Sequence, residues 1–269
     1  MIIFKSIDKL NRELYGVKNI GFVPTMGALH KGHINLITKS KKLCTKTIVS
    51  IFVNPNQFNN KADYIKYPRN INKDLKILKK TKVDYVLIPK YKQLYNSKKT
   101  KKFRIPKKYK VMCAKFRPGH FEGVLSVINE YLNKISLNYL FLGEKDFQQL
   151  FLIKNFVKNR FKTQVISCKT VRYKNKRPFS SRNNLLNKNE LIIIDKISVL
   201  LKILKNKIQN NLSYKNNIDK IRMKLRTFKI KIEYFEIRNR TNLSKKYNKK
   251  NFKIFIAYYV NKVRIIDNF

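Results

Sequence analysis

From Ile20 to Val171 the chain alternates between short β-rich apolar runs and segments of helical periodicity. Strand character lies in "IGFVP" (20–24), "KTIVSIFVN" (46–54), "VDYVLIP" (83–89), "NYLFL" (138–142) and "TQVISCKTV" (163–171). Helical character lies in "GHINLITKSKKLC" (32–44), "INKDLKILKK" (71–80), "GVLSVINEYLNKI" (123–135) and "DFQQLFLIKNFVKNR" (146–160). The third of these places Val124, Val127, Ile128, Tyr131, Leu132 and Ile135 on one face. Strands separated by helices of this length are best satisfied by a parallel sheet with helices packed on its faces. The expectation is an α/β domain over residues 1–175.

The remainder changes character after the polar string "YKNKRP" (173–178). A long helical pattern runs over 188–209, with Asn187 and Glu190 at N-cap and N3 spacing, and a second helix covers about 214–228. Strand-like runs follow at 230–237, 252–260 and 262–266. Helices followed by strands predict a smaller α+β domain over 176–269.

Composition narrows the function classes. Sixty-two Lys+Arg against 15 Asp+Glu give a net charge of +47, which attracts polyanions. The lysines run from Lys5 to Lys262 rather than along one stripe, which favours a compositional drift over a dedicated nucleic-acid face. The basic segment 98–110 reads as a solvated excursion. Cys44, Cys113 and Cys168 have neither pairing nor metal-ligand spacing, which suits a reducing cytoplasm. The most apolar stretch, 191–204, is interrupted by Asp195, Lys196 and Lys202, so neither a membrane span nor a membrane partner is expected.

Chemistry concentrates where the glycines are. Two of only three histidines sit in "TMGALHKGH" (25–33), at the junction of a strand and a helix. Backbone N–H groups at a helix start favour phosphate, and two imidazoles straddling a glycine could reach the same anion. Zinc is disfavoured, since the only other histidine is His120. In "FLGEKDFQQL" (141–150), Gly143 permits a turn, Lys145 offers an ammonium and Gln148 and Gln149 offer amides. Asp146 there has an alternative use as a helix N-cap. "FVNPNQF" (52–58) presents Gln57 after a strand, and "FSSRNNLL" (179–186) offers Ser180, Ser181 and Arg182 to a polyphosphate. Together these loops read as a nucleotide cleft with an amide-lined acid pocket.

In this order, "PTMGALHKGH", "SIFVNPNQF", "YPRN", "RPGHFEGV", "GEKDFQQL", "SSRN" and the terminal "RIIDN" resemble the pantoate–β-alanine ligase family, also called pantothenate synthetases. These belong to the HxGH nucleotidyltransferases. The resemblance implies a Rossmann-like first domain, a smaller second domain with the active site intervening, Mg²⁺ dependence and a homodimer. It implies the substrates ATP, pantoate and β-alanine, joined through a pantoyl adenylate, with no specific nucleic acid as partner. Met26, Gly27, Ala28, Leu29, His30, Lys31, Gly32 and His33 would line the ATP site, with His33 as proton donor and His30 on phosphate. Gly143, Glu144, Lys145 and Asp146 would contact the nucleotide, Lys145 with a catalytic role, and Val171, Phe179, Ser180, Ser181 and Arg182 would close on it. Gln57 and Gln149 would hold pantoate, Gln57 later lying near β-alanine. The resemblance assigns no metal ligands. Three departures stand out: "YKNKRP" lacks the acidic-Gly turn usual before the serines, Phe179 is bulkier than the usual Met or Leu, and the second domain matches weakly apart from "IEYFEIRN" and the terminus. The rival readings are another HxGH nucleotidyltransferase and a basic nucleic-acid-binding protein.

Overall fold

The computed structural model describes residues 1–95, 103–210 and 214–269. Residues 98–102 of the basic excursion therefore lie outside the described residues. The chain forms two compact units, Met1–Lys110 with Arg117–Thr170, and Val111–Phe116 with Val171–Phe269.

The first unit is built on a six-stranded, all-parallel sheet. Its strands are β1 (Ile2–Phe4), β2 (Ile20–Thr25), β3 (Lys46–Ile51), β4 (Tyr85–Leu87), β5 (Tyr139–Gly143) and β6 (Gln164–Cys168). They lie in the order β1-β4-β3-β2-β5-β6. Helices α1 (Ile7–Glu13), α2 (Lys31–Leu43), α3 (Lys61–Lys66), α4 (Ile71–Lys80) and α5 (Tyr91–Leu94) fall in the first half of the chain. After α6 (Cys113–Phe116), which belongs to the second unit, come α7 (His120–Lys134) and α8 (Phe147–Lys158). One buried cluster joins Val23, Val49, Val86 and Phe141 of the sheet to Leu36 and Ile37 of α2 and Leu78 of α4. On α7, Val124, Val127, Ile128 and Tyr131 are buried, and the Tyr131 ring lies 4.8 Å from that of Phe22. The expected periodicity of that helix is thus realised.

Register explains where this sheet opens. β2 pairs with β3 along its whole length, from Ile20↔Lys46 to Thr25↔Ile51. Its pairing with β5 is confined to Gly21↔Tyr139 and Phe22↔Leu140. β5 stays paired with β6 as far as Gly143↔Cys168. Beyond Phe22 and Leu140 the two central strands therefore part. The chain order also reverses here, since β3 lies on one side of β2 and β5 on the other. A crevice at the carboxyl ends of strands, at such a switch point, is where open α/β sheets bind ligands.

The second unit carries the antiparallel sheet β7 (Lys231–Asn239), β8 (Phe252–Val260) and β9 (Val263–Asn268), with helices α9 (Lys188–Gln209) and α10 (Tyr214–Arg226). α9 buries Ile194, Ile197, Leu201, Leu204 and Ile208, spaced three and four apart, in one core with Ile254, Ile256 and Tyr258 of β8. Asn187 and Glu190 form the anticipated capping box. The α6 segment joins this unit through Phe116, stacked on Tyr234 at 5.9 Å, and Cys113, whose Sγ lies 3.3 Å from an Arg264 Nη2 donor.

The segment without glycine still turns. Tyr173 N–H donates to the Arg177 carbonyl at 2.9 Å and Phe179 N–H to the Val171 carbonyl at 3.2 Å. Lys176 takes the left-handed conformation, φ 71°, that a glycine would adopt without strain. The bulky Phe179 stacks on Tyr173 at 3.8 Å between centroids, and Arg177 lies 4.5 Å over the Tyr173 ring.

Candidate functional site

α2 follows β2 after the loop Met26–His30, and its first turn is organised by the two histidines. His30 is the N-cap, and its Nδ1 accepts from Gly32 N–H at 3.1 Å. His33 Nδ1 accepts from His30 N–H at 3.3 Å, completing a reciprocal capping box. The two rings stack with centroids 4.0 Å apart and 29° between planes. Two of the helix-start N–H groups expected to meet phosphate are therefore taken by imidazole nitrogens. With Nδ1 of each ring accepting, the single proton of a neutral ring sits on Nε2.

Both rings are held neutral. Burial lowers the His30 pKa to about 4, helped by the Lys145 ammonium and opposed by the Asp146 carboxylate. His33 lies well below the ordinary imidazole value, through burial first and then His30 and Lys145. The sign of the linkage follows: between about pH 6.5 and 4 the unfolded chain takes up protons that the folded site refuses. Stability is therefore complete above pH 6.5 and declines as pH falls through that window. Each pH unit over which the two states differ by one proton is worth about 1.36 kcal/mol, so His30 contributes at most about 3 kcal/mol of that decline. Urea titrations at pH 7, 5.5 and 4.5 should show the loss in the wild type and a smaller loss in His30→Asn, which keeps a capping side chain. Parallel profiles for the two proteins would contradict it.

Lys145 arrives from the end of β5, across the switch point, in a 3-10 turn over Glu144–Asp146. Its ammonium lies 3.5 Å from Asp146 Oδ1. Asp146 stands at the N-cap position of α8 but makes no side-chain capping bond, so the purely structural use is not realised. Gly143 has φ −81° and open space where a Cβ would stand, so neither the turn nor packing requires glycine there. Of the adjacent amides, Gln148 is buried and donates to the Tyr109 carbonyl at 3.2 Å. The Gln149 amide is half-buried in the first turn of α8, with no hydrogen-bond partner among the described residues.

Gln57 closes a 3-10 turn after β3; it is buried, and its Nε2 touches Met26 Sδ. The turn is held from behind by α7. A Cβ on Gly123 would come within 2.1 Å of the Asn56 carbonyl oxygen, so only glycine allows this approach. Asn54 Nδ2 donates to the Gly123 carbonyl at 3.1 Å. His120 Nδ1 lies 2.7 Å from the Gln57 carbonyl and Nε2 lies 2.9 Å from Arg117 Nη1. A carbonyl and a guanidinium leave one assignment: Nδ1 donates and Nε2 accepts. The third histidine thus positions Gln57.

The first unit therefore brings together the Met26–His33 loop, Gln57 and Lys145. Asp74 belongs with them and was not anticipated: it is 2% exposed on α4 and accepts from Ala28 and Leu29 N–H at 2.9 and 2.7 Å. Its only sequence signal is one carboxylate inside a lysine-rich helix that otherwise needs none. The residues from Val171 to Arg182 stand on the second unit. There Ser180 Oγ accepts from Arg182 N–H at 3.3 Å and Ser181 is buried, opening a 3-10 turn over Ser181–Leu185. Among the described residues no group of three or more His, Cys, Asp or Glu could hold a metal, and no helix is long and apolar enough to cross a membrane.

Comparison with known proteins gives a consistent picture. The family model for pantoate–β-alanine ligase matches residues 2–269. The pantothenate synthetase of Francisella tularensis subsp. mediasiatica is 40% identical over 269 residues, covering 98% of this chain and 94% of its own. The crystal structure of pantothenate synthetase from Thermus thermophilus superposes with a TM-score of 0.91 at 25% identity, covering 100% of this chain and 99% of its own. That of the Francisella tularensis ligase, complexed with β-γ ATP and β-alanine, gives a TM-score of 0.85 at 38% identity, covering 100% and 97%.

Proposed function

We propose that this chain, which belongs to the pantoate–β-alanine ligase family, condenses pantoate with β-alanine in an ATP-dependent reaction. The observation that carries the reading is the stacked pair of neutral imidazoles, with Lys145 beside them, at the switch point of a parallel sheet. A pantoate carboxylate oxygen attacks the α-phosphorus of ATP and pyrophosphate leaves. The β-alanine amine then attacks the activated carbonyl, and AMP leaves with pantothenate as product.

Little covalent work falls to the protein; orientation and charge stabilisation carry the rate. The loop Met26–His33 and the turn Gly143–Asp146 hold the triphosphate. His30 and His33 donate hydrogen bonds from Nε2–H, and Lys145 supplies the positive charge. The depressed imidazole pKa values favour hydrogen-bond donation over transfer of a proton from an imidazolium. Open space over Gly143 fits close approach of a ligand to the backbone. Gln57 and Gln149 hold pantoate, Gln57 later lying beside β-alanine. Val171 and Phe179–Arg182 are assigned to the nucleotide on family resemblance alone.

For Mg²⁺, the half-exposed Asp146 carboxylate and Glu144 are oxygen donors of the kind this ion takes together with phosphate oxygens, and they would hold it. The ion would neutralise phosphate charge. A homodimer and a cytoplasmic location complete the reading; the three cysteines, none in a disulfide, suit the latter.

A coupled assay tests the proposal. AMP release should require ATP, pantoate and β-alanine together, and ATP–pyrophosphate exchange should require pantoate alone. Exchange supported equally by unrelated acids, or by none, would overturn it. Within that assay, Gln149→Ala is expected to raise the KM for pantoate about 10- to 100-fold, the worth of a hydrogen bond to a charged group, with a smaller change in kcat. An unchanged KM would remove Gln149 from the acid pocket.

A further inference from the structure

We infer that Asp74 is a positioning residue: its carboxylate fills the backbone nest of the turn after β2 and so fixes the start of α2 and the two imidazoles it carries. The inference rests on the function proposed above, and three observations carry it. Both carboxylate oxygens are used by consecutive backbone donors, Oδ2 by Ala28 N–H and Oδ1 by Leu29 N–H. Ala28 is held at φ 49° and Gly27 at φ 79°, left-handed conformations that Ala does not adopt unaided. A Cβ on Gly27 would stand 2.8 Å from Asp74 Oδ2, so glycine is required by contact as well as by φ. Among the described residues no Lys or Arg forms an ion pair with Asp74, although α4 carries lysines on every side. The buried charge is compensated by the loop itself.

Successive N–H groups in this conformation form a ready anion site. Because an internal carboxylate occupies it, a triphosphate must be met elsewhere. His30 N–H and Gly32 N–H are also taken, by the capping imidazoles. Asp74 thus keeps the backbone nest closed to a second anion, and it clamps Leu29, the residue directly before His30.

The test uses the full-length protein. Asp74→Asn keeps the shape but turns one acceptor into a donor facing a backbone N–H. Expected is a fall of about 100-fold in kcat for pantoate-dependent ATP–pyrophosphate exchange, as for a catalytic group displaced by about 1 Å, with the KM for pantoate within about threefold. The ring-proton NMR signals of His30 and His33 should shift while those of His120 stay. Gly27→Ala presses on the same contact from the loop side and should reproduce both changes; it decides the matter if Asp74→Asn does not fold. Exchange within threefold of wild type and unmoved His30 and His33 signals would overturn the inference. So would a loss of activity that merely tracks the unfolded fraction. If the wild type itself shows no pantoate-dependent exchange, the proposed function fails, and the NMR comparison still decides the role of Asp74.

Discussion

Replacing His33 with alanine is expected to cut pantoate-dependent ATP–pyrophosphate exchange by about 10²- to 10³-fold while leaving the fold in place. The magnitude is that of removing one preorganised donor from a site where charge develops. His33 meets the requirement for preorganisation: its Nδ1 is fixed by His30 N–H and its ring is stacked on His30 at 4.0 Å. Alanine also leaves His30 N–H without its acceptor, a capping loss of about 1 kcal/mol. His33→Gln separates the two effects. A glutamine at N3 can reach back to the N-cap N–H and restore the box, but it carries its donor elsewhere. Stability by urea titration should therefore recover in His33→Gln while exchange does not. Exchange within tenfold of wild type in both variants would deny His33 a part in the chemistry.

How far the sequence discloses this molecule depends on the range over which each feature is determined. Strands and helices with an internal apolar rhythm are legible to within a few residues, as α9 with its buried 194, 197, 201, 204 and 208 shows. β1 is not: three residues at a sheet edge, with Ile2 and Ile3 48% and 42% exposed, leave no alternation to read. The strand ending in the histidine loop consequently counts as the second rather than the first. Likewise Val111–Phe116 lies within the span assigned from sequence to the first domain, yet groups with the second unit. Six residues anchored by Phe116 and Cys113 on Tyr234 carry no periodic signal.

The site follows the same rule. Histidine scarcity makes His30 and His33 visible, and strand ends make Gln57 and Lys145 visible. The clamps behind them are invisible because each joins distant segments. Asp74 bonds a loop about 45 residues earlier, and His120 reaches a carbonyl 63 residues away. Gly143 shows the converse. Its glycine predicts a turn requirement, yet the backbone there is ordinary and the space above it open. Local chemistry names the groups proposed to meet a ligand, whereas long-range packing names the groups that touch them from behind.

The terminal "RIIDN" shows the second kind of residue with the largest stability effect. Asp267 is 4% exposed on β9 and pairs with Arg172 in a bidentate fork, Nη1 to Oδ2 at 2.9 Å and Nη2 to Oδ1 at 2.8 Å. Arg172 Nη2 also donates to the Asn268 carbonyl at 2.7 Å, and its guanidinium lies 3.9 Å over the Phe269 ring. Ser198 of α9 donates to Oδ2 at 3.2 Å, and Asn268 N–H donates to Oδ1 at 2.7 Å. Every oxygen is therefore satisfied, and the pair fastens the chain entering the Tyr173–Pro178 turn to the last strand. Removing one partner strands a largely buried charge, so Asp267→Ala is expected to lower the unfolding free energy by about 3–5 kcal/mol in urea titration. Replacing both partners with apolar residues, Arg172→Met with Asp267→Leu, should recover most of that loss, because neither charge is then left unpaired. The double variant still lacks the fork that orients Val171 and the turn leading to Phe179 and the serines. Its KM for ATP should stay raised although its stability returns. A single variant losing less than about 1 kcal/mol, or a double variant with a wild-type KM for ATP, would show that the fork neither holds this unit together nor aims the nucleotide residues assigned to it.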